Sequence, residues 1–201
     1  MELNQQTFNP PRDIQEIQVI QFNCNKANGG QEREFFEALH PKSQHIIAIQ
    51  EPQILTSSLS TKVPVGYRLA LYSHTATRVA FLVSKELDPS SWSVLSLSRD
   101  VACLLVKTKG DPLGIINVYN PGPQSQRQGQ RSALPEVQRA LCRLQRQRSE
   151  VDILLLGDFN LHHPNWGGPD TTPDQEAAGL IRLVDQFGLD LITPVGTVTF
   201  R

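Results

Sequence analysis

The apolar positions of this chain gather into short runs, and four of them stop abruptly at polar side chains. Ile17 to Phe22 runs into Asn23-Cys24-Asn25, and His45 to Ile49 into Gln50-Glu51-Pro52. Gly114 to Val118 runs into Tyr119-Asn120-Pro121, and Ile153 to Leu156 into Gly157-Asp158-Phe159-Asn160. The last run is too short for a helix and too apolar for a surface strand, so it predicts a strand buried on both faces. Gly157 lets the backbone turn, and Asp158 and Asn160 then stand at the rim of a sheet, where polar groups are held rigidly.

Between these runs the pattern changes period. In GQEREFFEALHP, Phe35, Phe36 and Leu39 share one helical face and Pro41 marks the stop. The helix returns the chain to the strand HIIAIQE, which makes a strand, helix and strand unit, parallel and right-handed. From Tyr67 to Tyr119 strands alternate with the turn signals Asp88-Pro89, Arg99-Asp100 and Gly110-Asp111-Pro112, predicting an antiparallel meander. Pro121 to Ser132 is polar and rich in Gln and Gly, and predicts a mobile loop.

Leu134 to Glu150 places Leu134, Val137, Leu141 and Leu144 on one helical face and Arg139, Arg143 and Arg146 opposite. The arginines predict a solvated face, with a phosphate-contacting stripe as the sharper alternative. Thr172-Pro173-Asp174-Gln175 has the form of a capping box and predicts a helix that buries Ala177, Leu180, Ile181 and Val184 and ends at Gly188. Two short strands, LDLIT and TVTF, follow. Residues 1–15 are polar, carry Pro10-Pro11 and predict a flexible arm, which leaves residues 16–201 as one domain.

With 201 residues, 39% hydrophobic and 19% charged, the chain can bury an ordinary core. A formal net charge of -1 gives no global attraction to nucleic acid, so any phosphate-binding surface must be local. Three cysteines, Cys24, Cys103 and Cys142, sit far apart in apolar or helical patterns, which argues against a disulfide framework or a zinc site. No apolar run approaches the ~20 residues of a membrane span, and the polar start MELNQQTFNPPRD has no signal-peptide core. The expectation is an intracellular protein, nuclear or cytoplasmic, with no membrane partner.

Four strand ends in the order QFNCN, IQEP, NVYNP and GDFN resemble the endonuclease/exonuclease/phosphatase superfamily, the DNase I-like fold. The HHPNWGG after GDFN looks most like the endonuclease domains of non-LTR retrotransposons. The resemblance covers Glu16 to the last residue. It implies an α/β fold, a four-layer sandwich of two mixed sheets flanked by helices, with the active site at one rim. It also implies a DNA phosphodiesterase that uses Mg²⁺ or Mn²⁺, existing as a monomer or as part of a longer polyprotein with a reverse transcriptase.

By that resemblance Glu51 is the metal-binding glutamate, and Asn23 and Asn25 form the first-strand polar pair, with Asn25 on the metal. Asn25 stands where many members carry aspartate, which removes one anionic ligand. Asp158 orients or deprotonates the attacking water, Asn160 is its hydrogen-bonding partner, Tyr119 offers a phosphate-side hydroxyl and Asn117 supports the site from the same strand. His163 and Trp166, on the loop beside the rim, are candidate substrate contacts; Trp166 as a buried anchor of that loop is the competing expectation. The family pattern continues with an aspartate-bearing strand and a Ser-Asp-His element, whereas this sequence stops at Thr199-Phe200-Arg201. The expectation is therefore a domain missing its last strands and impaired in turnover. A phosphatase or phospholipase of the same fold, or a non-catalytic retroelement remnant, are the alternatives.

Overall fold

The structure, a computed structural model, describes residues 16–24, 30–52, 63–70, 77–147 and 150–197. The arm expected over residues 1–15, Asn25, and TVTF beyond Thr197 lie outside these residues.

Among the described residues two four-stranded sheets form the centre. The first contains β1 (Val19–Asn23), β2 (Ile46–Gln50), β3 (Tyr67–Ala70) and β4 (Val79–Ser84) in the order β1-β2-β4-β3. The second contains β5 (Trp92–Ser96), β6 (Val101–Val106), β7 (Leu113–Tyr119) and β8 (Asp152–Asp158) in sequence order. Helix α1 (Gly30–Glu37) connects β1 to β2, which pair in parallel as the strand, helix and strand pattern predicts. Helices α2 (Pro123–Arg127) and α3 (Leu134–Gln145) connect β7 to β8, also a parallel pair. Helices α4 (Pro164–Gly167) and α5 (Ala177–Gln186) follow β8.

Alternation along the strands explains the layering. In β2, Ile46 and Ala48 face the second sheet, where they join Phe81 and Val83 of β4 and Leu104, Val106 and Ile115. Ile47 and Ile49 point the other way, into a cluster with Cys24, Leu39, Tyr67 and Leu82 that Phe35 and Phe36 of α1 cover. Both faces therefore need cover, and β2 is buried along its whole length. On the far side, Val101, Cys103, Ile116 and Val118 pack against Val137, Ala140, Leu141 and Leu144 of α3 and against Ala177, Leu180 and Leu183 of α5. Each such fully buried aliphatic side chain contributes about 1.5–3 kcal/mol over an exposed one.

Several sequence expectations change here. The meander from Tyr67 to Tyr119 does not stay in one sheet: β3 and β4 pair in the first, and β5, β6 and β7 in the second. Period-2 alternation shows that a strand has two faces, but not which sheet it joins. Strand β8 is half-buried rather than buried on both faces, because among the described residues it is the edge of its sheet. The polar stretch after β7 is not a featureless loop; it holds α2, and Gln126 there bonds to Glu176 and to the Pro121 carbonyl.

The last helix begins at Ala177 and not near Thr172. The Asp174 carboxylate is engaged by the backbone N–H and imidazole of His162, while its carbonyl accepts the Ala177 N–H. The helix buries Leu183 rather than Ile181, and Val184 is only partly buried. Gly188 does close it, at φ +61, with the Leu189 N–H bonded back to the Val184 carbonyl. Leu189 to Thr193 form no strand.

Candidate active site

Both parallel pairs end together. Asn23 and Gln50 are the last register partners of β1 and β2, and Tyr119 and Asp158 the last partners of β7 and β8. Strand β1 packs against β8, and β2 against β7 and β8, so the polar ends of both sheets meet at one rim. The Asn23 side-chain amide donates to Asp158 Oδ2 at 2.6 Å, across the gap between the sheets. Asp158 Oδ1 accepts the Asn160 backbone N–H at 3.1 Å, and the Asn160 amide donates to the Asn120 carbonyl at 3.0 Å. Within the second sheet Gly157 lets β8 lie close against β7: its φ is +144, and a Cβ there would lie 2.1 Å from the Val118 carbonyl oxygen.

Glu51 and Asn160 are the non-glycine residues with positive φ among those described, at +45 and +48. Asparagine tolerates this region, but glutamate adopts it at a cost. Glu51 is nevertheless buried, its backbone N–H donates to the Arg78 carbonyl at 2.8 Å, and its carboxylate accepts from the Tyr119 hydroxyl. Burial first, and then the charge and hydrogen bond of Glu51, push the Tyr119 phenol up to about 12, while the Arg78 guanidinium pulls it down. The phenol therefore stays protonated as a donor. Burial likewise raises the Asp158 carboxyl above its ordinary value, helped by the Glu51 charge and opposed by the hydrogen bonds from Asn160 and Asn23.

Beneath the rim lies a buried polar pair that the sequence only half reveals. Asn117 is fully buried, and its amide donates to the Ile49 and Ala80 carbonyls at 3.0 Å each while its oxygen accepts from Gln50. These bonds pin β7 to β2 and β4. Asn120, also fully buried, accepts the Ala133 N–H and donates to the Phe159 carbonyl, fixing the start of α3 behind Asp158. Gln50, Asn120, Arg78 and Asp100 were not singled out by sequence. Their one signal is a polar residue at the very edge of an otherwise apolar strand.

Residues 113–201 match the family model described as endonuclease-reverse transcriptase. The endonuclease domain of TRAS1, a telomere-specific non-LTR retrotransposon, superposes with a TM-score of 0.60 at 18% identity, over 92% of this chain and 77% of that one. The chain has the DNase I-like fold. The AP endonuclease LMAP from Leishmania major shares it, with a TM-score of 0.58 at 13% identity over 85% of this chain and 66% of that one. So does D. rerio TDP2 complexed with a single-strand DNA product, with a TM-score of 0.54 at 13% identity over 86% of this chain and 65% of that one. The chain thus spans just under two thirds of the latter two. No curated protein sequence matches it.

On this DNase I-like rim the structure brings together Asn23, Glu51, Tyr119, Asp158 and Asn160, with Asn117 beneath them. Asn25 lies outside the described residues. His163 and Trp166 lie on the segment that follows β8. The His163 imidazole accepts the Asn165 N–H at the start of α4, and the Trp166 indole donates to the Leu161 carbonyl at 2.8 Å and packs on the core under α3. Their rings lie 5.1 Å apart, so the pair braces its own loop.

Among the described residues no group of three or more His, Cys, Asp and Glu side chains converges as a metal cage. The rim does hold two carboxylates, Glu51 and Asp158, near enough that the Glu51 charge raises the Asp158 carboxyl and both raise the Tyr119 phenol. Oxygen donors with one or two carboxylates suit Mg²⁺, which keeps several waters and takes the rest of its shell from substrate. Sulfur- or imidazole-seeking metals find no partner in this set. Among the described residues no helix is long and apolar enough to cross a membrane.

Proposed function

We propose that this domain hydrolyses phosphodiester bonds in DNA with the help of Mg²⁺ or Mn²⁺, as an endonuclease of the retroelement kind. The observation that carries the proposal is the Asn23 to Asp158 hydrogen bond, which sets the Asp158 carboxylate at the same rim as Glu51 and Tyr119. The fold and the family match over residues 113–201 support it.

Phosphodiester cleavage requires a deprotonated attacking water, neutralisation of charge on the phosphoryl oxygens and a stabilised leaving oxygen. Glu51 would hold the cation, with Asn25 beside it, and the bound cation would supply charge neutralisation at the phosphate. Asp158 receives the water's proton. Its raised pKa makes it a stronger base than an ordinary aspartate, and Asn23 and Asn160 fix its two oxygens. The Tyr119 phenol, whose one hydrogen goes to Glu51 in the free protein, would turn it toward a phosphoryl oxygen once Glu51 holds the cation. A loop braced by His163 and Trp166 keeps the strand end behind Asp158 from shifting.

The test is nicking of supercoiled plasmid in Mg²⁺ by the 201-residue chain and by Asp158→Ala. Cleavage that requires both the cation and Asp158 is the expected result. Cleavage that persists in Asp158→Ala, or in chelator, would overturn the proposal, as would a wild-type chain that does not cut.

A further inference from the structure

Arg78 immediately precedes β4, and its side chain is held by three separate groups. Its Nε donates to Asp100 Oδ1 and its Nη1 to Gln130 Oε1. Its guanidinium lies over the Tyr119 ring, 4.6 Å from the centroid. The remaining nitrogen, Nη2, reaches neither solvent nor, among the described residues, an acceptor. Both ends of the fixed Arg78 backbone then touch the rim. Its carbonyl accepts the N–H of the strained Glu51, and its N–H donates to the Arg99 carbonyl at 2.7 Å. Asp100 closes the circuit, because its carbonyl accepts the Tyr119 N–H at 2.9 Å.

The two acceptors of Arg78 lie on different segments. Asp100 belongs to the turn before β6 and Gln130 to the turn between α2 and α3, and together with Ser98, Arg99, Arg131 and Ser132 they line a cleft of about 340 Å³. Arg78 is the shared floor of both turns. Only a planar fork with donors on separate nitrogens can hold two such acceptors while stacking on a ring; a lysine ammonium carries the charge without that geometry.

We infer that Arg78 is a positioning residue for the phosphodiesterase reaction. It holds the Tyr119 hydroxyl and the Glu51 carboxylate in register by locking the turns at Asp100 and Gln130 against the strand ends that carry them. The inference rests on the phosphodiesterase proposal. It does not give Arg78 a contact with DNA, because Nη2 is sealed from solvent. A displacement of about 1 Å at a reacting group costs on the order of a hundredfold in rate, so loosening this lock acts on kcat.

Arg78→Lys separates the possibilities, measured in two ways. Amide hydrogen exchange on the metal-free protein should accelerate at Glu51, Tyr119 and Asp100 and stay unchanged at the core amides of Ile47 and Ile116. In the nicking assay, kcat should fall about tenfold to a hundredfold while KM and the salt dependence of DNA binding stay fixed. In Arg78→Gln, which removes the charge, a raised KM with a salt slope shallower by about one would instead mark Arg78 as a phosphate contact and overturn the inference. Exchange that accelerates evenly across both sheets, or not at all at the rim, would overturn it as well. If the wild-type chain itself does not cut, the phosphodiesterase proposal fails, and exchange at the rim still decides whether Arg78 holds it.

Discussion

Asn23 Nδ2 lies 2.6 Å from Asp158 Oδ2, a hydrogen bond between residues 135 positions apart that joins the ends of the two sheets. Burial nevertheless outweighs this bond and leaves the Asp158 carboxyl raised. An acid whose folded pKa exceeds its unfolded value binds more protons in the folded state, so folding stability falls as pH rises through the window between the two values. In the absence of metal, Asp158→Asn should therefore melt at a higher temperature than the wild type above that window. The gain should vanish on acidification below the unfolded aspartate value. Melting curves across pH settle this, and a variant less stable than wild type at neutral pH would refute the assignment.

In the proposed reaction Glu51 would be the principal anionic donor for a divalent cation at this rim. Glu51→Gln removes one charge and keeps the shape, so Mg²⁺ or Mn²⁺ binding should weaken on the order of tenfold or more, about 1.4 kcal/mol. Titration calorimetry on both proteins measures it, and equal affinities would remove Glu51 from the site.

Asn117 satisfies the Ile49 and Ala80 carbonyls and the Gln50 amide in a region sealed from water. Asn117→Ala strands all three groups and should cost about 2–4 kcal/mol. Denaturant unfolding with an unchanged m-value gives the number. A loss under about 1 kcal/mol would mean that the sheets are held together without this pin.

Gly157 admits no side chain at its place in β8, both because its φ is +144 and because a Cβ would meet the Val118 carbonyl at 2.1 Å. Gly157→Ala should destabilise the protein by more than about 2 kcal/mol. Where the variant still folds, it should also lose any Asp158-dependent cleavage, since β7 and β8 must separate. Retained stability and activity would show that the close approach of these strands is dispensable.

The sequence by itself determined the strand ends. QFNCN, IQEP, NVYNP and GDFN each close an apolar run, and Asn23, Glu51, Tyr119, Asp158 and Asn160 do stand together at one rim. It also determined the apolar face of α3 and the closure of α5 at Gly188, because helical period and capping are local. Tertiary structure decided the rest. Which of two sheets receives β3 and β4, and that β8 lies at an edge, depend on hydrogen bonds between distant strands that no window of sequence contains. Asp174 carries the signature of a helix start but is captured by His162, twelve positions away. Asn117 was legible only as a neighbour of Tyr119 on one strand, and Gln50 and Arg78 look like ordinary polar residues at strand ends. Their importance comes from burial, which compels each to find partners on other elements, and only the folded chain shows which partners those are.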